Sequence, residues 1–199
     1  GWVALVDGAS QFAMIERFHY DPHQNYPGKA TVIFYKNGPM VSLTADGMPA
    51  MPAVKIEDVP YYIEAELNSA LVTLQPGGSY AMDTEWQPTR MTSSLSGVTW
   101  AGAVGHPLTA TTTAGGLLLA GSFGVFFPGR LVVRLFDKRG VNLGVVPAGL
   151  VSPLKLLDLS ERIPAPSTTA RVAIHLQDSQ GIDRGSLGEA WVNQPGKGS

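Results

Sequence analysis

Residues 60–86 read PYYIEAELNSALVTLQPGGSYAMDTEW. Apolar and polar residues alternate through the first half, the period of an extended strand whose successive side chains point to opposite faces. Tyr61, Ile63, Ala65 and Leu67 share one face; Tyr62, Glu64, Glu66 and Asn68 share the other. Pro76-Gly77-Gly78 interrupts the run, and the return segment sets Tyr80, Met82, Thr84 and Trp86 against Ser79, Asp83 and Glu85. The stretch predicts a hairpin with one polar face that carries two acidic pairs, Glu64/Glu66 and Asp83/Glu85. Such a face is the ordinary solvated side of an antiparallel sheet. It is also a surface on which carboxylates accept hydroxyl hydrogen bonds while Tyr62 offers a ring for stacking. Carboxylates crowded across two strands repel one another, so Arg17, His19 or a ligand is expected opposite them.

The rest of the chain reads the same way. Gly1–Val6 is a strand pattern and Asp7-Gly8 a turn. Gln11–Tyr20 and Ala30–Lys36 alternate as strands, and the loop between them is dense in turn formers. Asn37-Gly38-Pro39 ends the third strand, residues 40–59 read as loop, and Gln87–Ser96 is polar and aperiodic, as a linker would be. Beyond it, Leu108–Thr113, Leu117–Phe127, Leu131–Asp137, Val141–Val146, Leu154–Ile163, Ala170–Asp178 and Leu187–Val192 are strand patterns. The run from Gly116 to Asp137 is too rich in glycine for a helix and turns at Pro128-Gly129, which suits two central strands of a sandwich. VRLFDKRGVNLG (133–144) is repeated loosely as IHLQDSQGIDRG (174–185), an offset of 41 residues, and reads as two similar hairpins. No long amphipathic pattern occurs, so the expected class is all-β.

Composition sets the outer bounds. Of 199 residues, 44% are hydrophobic and 15% charged, which fits a folded chain with a core rather than a disordered one. The net charge of −2 gives no electrostatic reason to expect nucleic acid or an anionic membrane, and no run approaches the roughly 20 apolar residues of a membrane helix. Residues 1–92 hold five basic against ten acidic groups and residues 93–199 nine against six. That change of sign places the expected boundary between a first domain (1–92) and a second (97–193). The chain has no cysteine, which excludes disulfides and thiolate chemistry. It opens at Gly1 directly into a strand pattern, so a processed product or a fragment with a natural start upstream is expected.

His19-x-Asp21-x-His23 spaces three potential metal ligands at alternate positions, although Pro22 interrupts the strand there and no metal is assigned. No nucleophile-elbow pattern supports triad chemistry. Tyr20, Tyr26 and Trp100 stand in or beside loops, where rings serve either packing or sugar stacking.

Two stretches, GWVALVDGASQFAMIERFHYDPHQNYPG and YYIEAELNSALVTLQPGGSYAMDTEW, carry a resemblance to the C-terminal part of an uncharacterised bacterial family with a galactose-mutarotase-like supersandwich. The motifs are Glu16-Arg17-Phe18, Tyr20-Asp21-Pro22, Tyr26-Pro27, Glu64-x-Glu66 and Leu74-x-Pro76-Gly77, and the likeness covers roughly residues 1–90. Residues 97–193 resemble, more loosely, jelly-roll carbohydrate-binding modules. The resemblance implies a supersandwich-like fragment, incomplete at its N-terminus, followed by a small β-sandwich. The segments bearing the catalytic histidines of true epimerases have no counterpart here, so binding rather than turnover is expected.

Together these readings imply a carbohydrate-binding or accessory module, extracellular or periplasmic. Its expected partner is a glycan, with no cofactor, and the expected set is Arg17, His19, Tyr62, Glu64, Glu66, Asp83 and Glu85. The first domain is expected to be completed by a dimer mate, a partner segment or the second domain. Part of a polysaccharide lyase or sugar epimerase, and a structural module without a ligand, are the alternatives.

Overall fold

The computed structural model describes residues 1–36, 62–91 and 94–193; the expected break at 37–39, the loop over 40–59 and Tyr61 lie outside them. The fold is all-β. In chain order the strands are β1 (Trp2–Asp7), β2 (Phe12–Phe18), β3 (Val32–Lys36), β4 (Ile63–Leu67), β5 (Thr84–Arg90), β6 (Gly97–Val98), β7 (Gly102–Thr113), β8 (Gly116–Val125), β9 (Gly129–Phe136), β10 (Asn142–Val151), β11 (Leu157–Ile163), β12 (Arg171–Asp178) and β13 (Asp183–Asn193). The helical content of the described residues is one 3₁₀ turn, Pro27–Lys29, and no helix among them is long and apolar enough to cross a membrane. By packing, Gly1 and Arg17–Thr84 form one compact unit, and Trp2–Glu16 with Glu85–Ser199 the other. The change of charge sign near residue 93 falls inside the second.

The first unit holds a two-stranded ladder of β3 and β4. Ile33 faces Glu66 and Tyr35 faces Glu64, while Phe34 faces Ala65, so the two faces of β4 divide as its alternation predicts. Its partner differs from the expected one. The sequence pairs residues 61–68 with the segment after Pro76-Gly77-Gly78, but β4 pairs with β3 instead, and β5 pairs with β2. The turn itself forms, the Gly78 N–H donating to the Gln75 carbonyl at 2.8 Å. The flanking residues 71–74 and 79–83 have no strand conformation, so the reversal does not propagate into a ladder.

In the second unit, β1, β2 and β5 form a three-stranded sheet in that order. Ala13 and Ile15, alternate residues of β2, are fully buried and join Met91, Ala103 and Phe126 in a small core. Gln87–Ser96 reads as a linker, yet β5 runs through Arg90, with Thr89 and Met91 at 0% and 1% exposure. The buried polar side chain is satisfied, since the Thr89 hydroxyl donates to the Val125 carbonyl at 2.8 Å; a paired hydroxyl is compatible with an interior position that hydrophobicity alone would not assign.

The remaining strands form one curled sheet in the order β10-β9-β12-β13-β7-β8-β11, with β6 added on β7. All ladders along it are antiparallel except β13 on β7, which is parallel at Val192↔Ala110 and Asn193↔Thr111. The arrangement is sandwich-like, because both halves of the sheet send alternate residues into one core: Leu117, Leu119, Phe123 and Val125 from β8, Leu131, Val133 and Leu135 from β9, Val172, Ile174 and Leu176 from β12. As predicted, β8 and β9 are both internal, each with a neighbour on either side.

The repeat of 41 residues is a pair of equivalent hairpins. At the first turn the Asp137 carboxylate accepts the N–H groups of Arg139 (2.8 Å) and Val141 (2.9 Å), and its carbonyl accepts Gly140 N–H. At the second, Asp178 accepts Gln180 and Ile182 (2.9 Å each), and its carbonyl accepts Gly181 N–H. Gly140 and Gly181 have φ of 82° and 79°, the left-handed region that glycine adopts freely. One residue on, Asn142 Oδ1 takes Gly144 N–H and Asp183 Oδ1 takes Gly185 N–H. The strands β9 and β12 meet with Val133 opposite Ile174, Arg130 opposite Gln177 and Phe136 opposite Arg171. Under the offset Val133 and Ile174 exchange places, and the pair Arg130–Gln177 maps onto the pair Arg171–Phe136, so a local two-fold axis passes between Val133 and Ile174.

Candidate functional site

The residues singled out by sequence fall into separate groups. His19 and Asp83 line one pocket of the first unit, of about 390 Å³, together with Asp21, Gln24, Tyr26 and Tyr80. That volume falls within the roughly 300–1,000 Å³ of small-molecule pockets. Tyr62, Glu64 and Glu66 do not line it; they lie along the β4 ladder, all exposed. The Tyr62 ring sits 5.8 Å from that of Tyr35. Its phenol is held above its ordinary pKa by partial desolvation first, then by Tyr35 and Glu64. Arg17 is half-buried near the end of β2, and Glu85 is exposed in β5, in the second unit.

Local hydrogen bonding builds the pocket. The loop after β2 closes on Asp21: its carboxylate accepts His23 N–H at 2.9 Å, its carbonyl accepts Gln24 N–H at 3.2 Å, and its own N–H donates to the Tyr26 hydroxyl at 3.0 Å. Tyr26 in turn sets its ring 5.7 Å from Tyr20. The opposite wall is tied to this loop by Leu71 N–H to the Asn25 carbonyl (2.8 Å) and by Asn68, whose N–H reaches Thr31 O (2.9 Å) and whose side chain reaches Ala30 O (3.0 Å). Those bonds place Ser69, Ala70 and Val72 along the same cavity. The result combines aromatic faces with an imidazole, carboxylates and an amide. Tyr20 and Tyr80 are about half exposed, at 48% and 51%.

His23, third member of the alternating His19/Asp21/His23 pattern, is exposed and lends its backbone to Asp21. Among the described residues no group of three or more histidines and carboxylates is placed to hold a metal ion. The pocket also takes in Gln24, Ser69 and Tyr80, which the sequence reading passes over. Gln24 and Ser69 lie where the sequence has no period, and Tyr80 reads there only as one residue of an alternating strand.

A second polar cluster lies on the outer face of β9, β12 and β13. His175 Nδ1 is 3.1 Å from both Asp183 carboxylate oxygens, and Arg134 reaches the same carboxylate obliquely across β12. Burial works to raise the pKa of Asp183, but the Gly185 N–H, His175 and Arg134 together hold it below the ordinary value. Alongside, Arg171 pairs with Glu189 at 2.6 Å and covers the Phe136 ring at 4.2 Å. The cations here are consumed by their own carboxylates, which fits a structural surface.

Comparison with protein-family models, with curated proteins and with solved structures found no match.

Proposed function

We propose that this chain is a carbohydrate-binding or accessory module of a carbohydrate-active protein, and that the sugar sits in the pocket of His19, Asp21, Gln24, Tyr26, Tyr80 and Asp83. The observation that supports it is the composition of that one cavity. Sugars present hydroxyls that carboxylates and amides accept or donate to, and C–H faces that pack on tyrosine rings. The likeness of residues 1–90 to the mutarotase-like supersandwich family points to the same ligand class, as does the extracellular or periplasmic setting that it implies. Tyr62, Glu64 and Glu66 lie outside that pocket.

The test is a glycan array followed by calorimetric titration of the retained sugar. Tyr80→Ala and Asp83→Asn are each expected to weaken binding by roughly 5- to 100-fold, the loss of one or two hydrogen bonds or of a stacking face, with Glu64→Ala close to the parent. A chain that retains no glycan, or one whose affinity follows Glu64 and not Asp83, would overturn this reading. That His19 and Asp83 line one pocket also favours a second reading, acid/base chemistry in a lyase or epimerase. Its readout is product formation by the intact chain from the sugar it binds, abolished in His19→Ala.

A further inference from the structure

We propose that the second unit carries a separate binding site for a ligand carboxylate, centred on Arg130. The two-fold axis between Val133 and Ile174 makes Arg130 and Arg171 equivalent: each lies at the start of its strand, Arg130 second in β9 and Arg171 first in β12, and each faces the other strand across the β9–β12 ladder. Arg171 is self-contained. Phe136 lies beneath its guanidinium at 4.2 Å, Glu189 pairs with it at 2.6 Å, and Trp191 stands opposite it on β13.

At Arg130 each of these partners is replaced. Gln177 takes the place of Phe136 and Leu150 that of Trp191. The counterpart of Glu189 under the offset is Ala148, within the irregular stretch between Pro147 and Leu150. The Arg130 guanidinium therefore has neither ring nor carboxylate, and it makes no side-chain hydrogen bond or ion pair among the described residues. An open pocket of about 610 Å³ lies where those groups would stand, lined by Arg130, Gln177, Ser179, Gln180 and Leu150. Asp178 also borders it, but its carboxylate is spent on the Gln180 and Ile182 N–H groups and on Arg184 at 2.8 Å.

The chemistry of the ligand follows from the equivalent position. Arg171 takes a carboxylate, and guanidinium binds that group through paired, charge-assisted hydrogen bonds. Gln177, Ser179 and Gln180 offer neutral donors and acceptors for hydroxyls on the body of such a ligand, and Leu150 offers an apolar wall. A compact hydroxylated acid, of the hexuronate class, matches this set. The site shares no residue with the pocket of His19 and Asp83, so either can fail without the other.

The experiment is an NMR titration of the intact chain with D-galacturonate, with galactose and inorganic phosphate as the other arms, following the amides of Arg130, Gln177 and Gly181. Saturable shifts with galacturonate and none with galactose are expected. Arg130→Gln should weaken binding at least ten-fold and Arg171→Gln less than two-fold. A double variant, Ala148→Glu with Gln177→Phe, gives Arg130 the partners that Arg171 has, and should lose the ligand while unfolding at the parent's denaturant concentration. Equal shifts from galactose, phosphate binding as tight as galacturonate, or full affinity in Arg130→Gln would each overturn the assignment.

Discussion

Thr89 is the sharpest test of how β5 is held. Its hydroxyl, wholly buried, donates to the Val125 carbonyl at 2.8 Å, and its methyl lies over Gly124, where an added Cβ would come within 2.6 Å of Thr89 Cγ2 and 2.9 Å of the Arg90 carbonyl. Thr89→Val keeps the shape and removes the donor. The expected cost is about 1–3 kcal/mol, that of a buried acceptor deprived of its partner. For a chain of this size each kcal/mol lowers Tm by about 2–4 °C. Gly124→Ala should cost a similar 1–3 kcal/mol by overpacking, because the Arg90 carbonyl belongs to the backbone and cannot swing aside. Thr89→Ser removes only Cγ2, so it should relieve part of the Gly124→Ala clash, and the two changes should couple by at least about 0.5 kcal/mol. Urea unfolding monitored by tryptophan fluorescence measures the parent, the three single variants and the Thr89→Ser/Gly124→Ala double variant. A Thr89→Val variant within about 0.3 kcal/mol of the parent, together with strict additivity of the other pair, would refute the reasoning, since ordinary surface changes fall within that range.

Two further outcomes follow from the paired hairpins. Gly140→Ala and Gly181→Ala place a side chain in left-handed backbone with nothing within 4 Å to clash. Each should cost about 1–2 kcal/mol, and a clear inequality in their unfolding midpoints would show the two turns not to be equivalent. The second outcome is acid sensitivity. Asp137 is lowered first by the Val141 N–H, against partial desolvation. At Asp178 and Asp183 desolvation is the largest single influence and raises the pKa, but it is outweighed by the Ile182 and Gln180 N–H groups with Arg184 at Asp178, and by the Gly185 N–H with His175 and Arg134 at Asp183. A depressed folded pKa stabilises above the unfolded value, near 3.9, and that contribution drains away as pH falls through the folded values. Urea midpoints should therefore drop from about pH 4 downward. Asp178→Asn should show a shallower drop, and an unchanged slope in that variant would count against the hairpin carboxylates.

Much of this was legible because its causes are local. The alternation of Gln11–Tyr20 marks β2 as a strand, and the Asp-x-x-Gly turns at 137–140 and 178–181 close through bonds spanning two to four residues. What sequence could not supply was distant pairing. Pro76-Gly77-Gly78 promises a reversal, but whether a ladder grows from it depends on which strand competes, and β3 lies some thirty residues earlier. Thr89 reads as polar surface because the carbonyl that makes its burial tolerable is 36 residues away. The pocket of the first unit shows the same limit: His19 and Asp83 are visible as polar residues of two separate strand patterns, but their meeting depends on Asn68 and Leu71 binding the earlier loop.

The local two-fold axis has a consequence for refolding. A hairpin built to pair with a near-copy of itself is also close to complementary to its own copy on another molecule. Two β9 strands aligned about Val133 would oppose Arg130 with Phe136, a ring that a guanidinium can cover, much as Arg171 does in the native ladder. The wrong partner is thus a credible competitor whenever chains are crowded, and exchange of equivalent elements is a low-cost route to dimers. Its yield rises with concentration while the native ladder's does not, so dilution favours the intramolecular pairing of Val133 with Ile174.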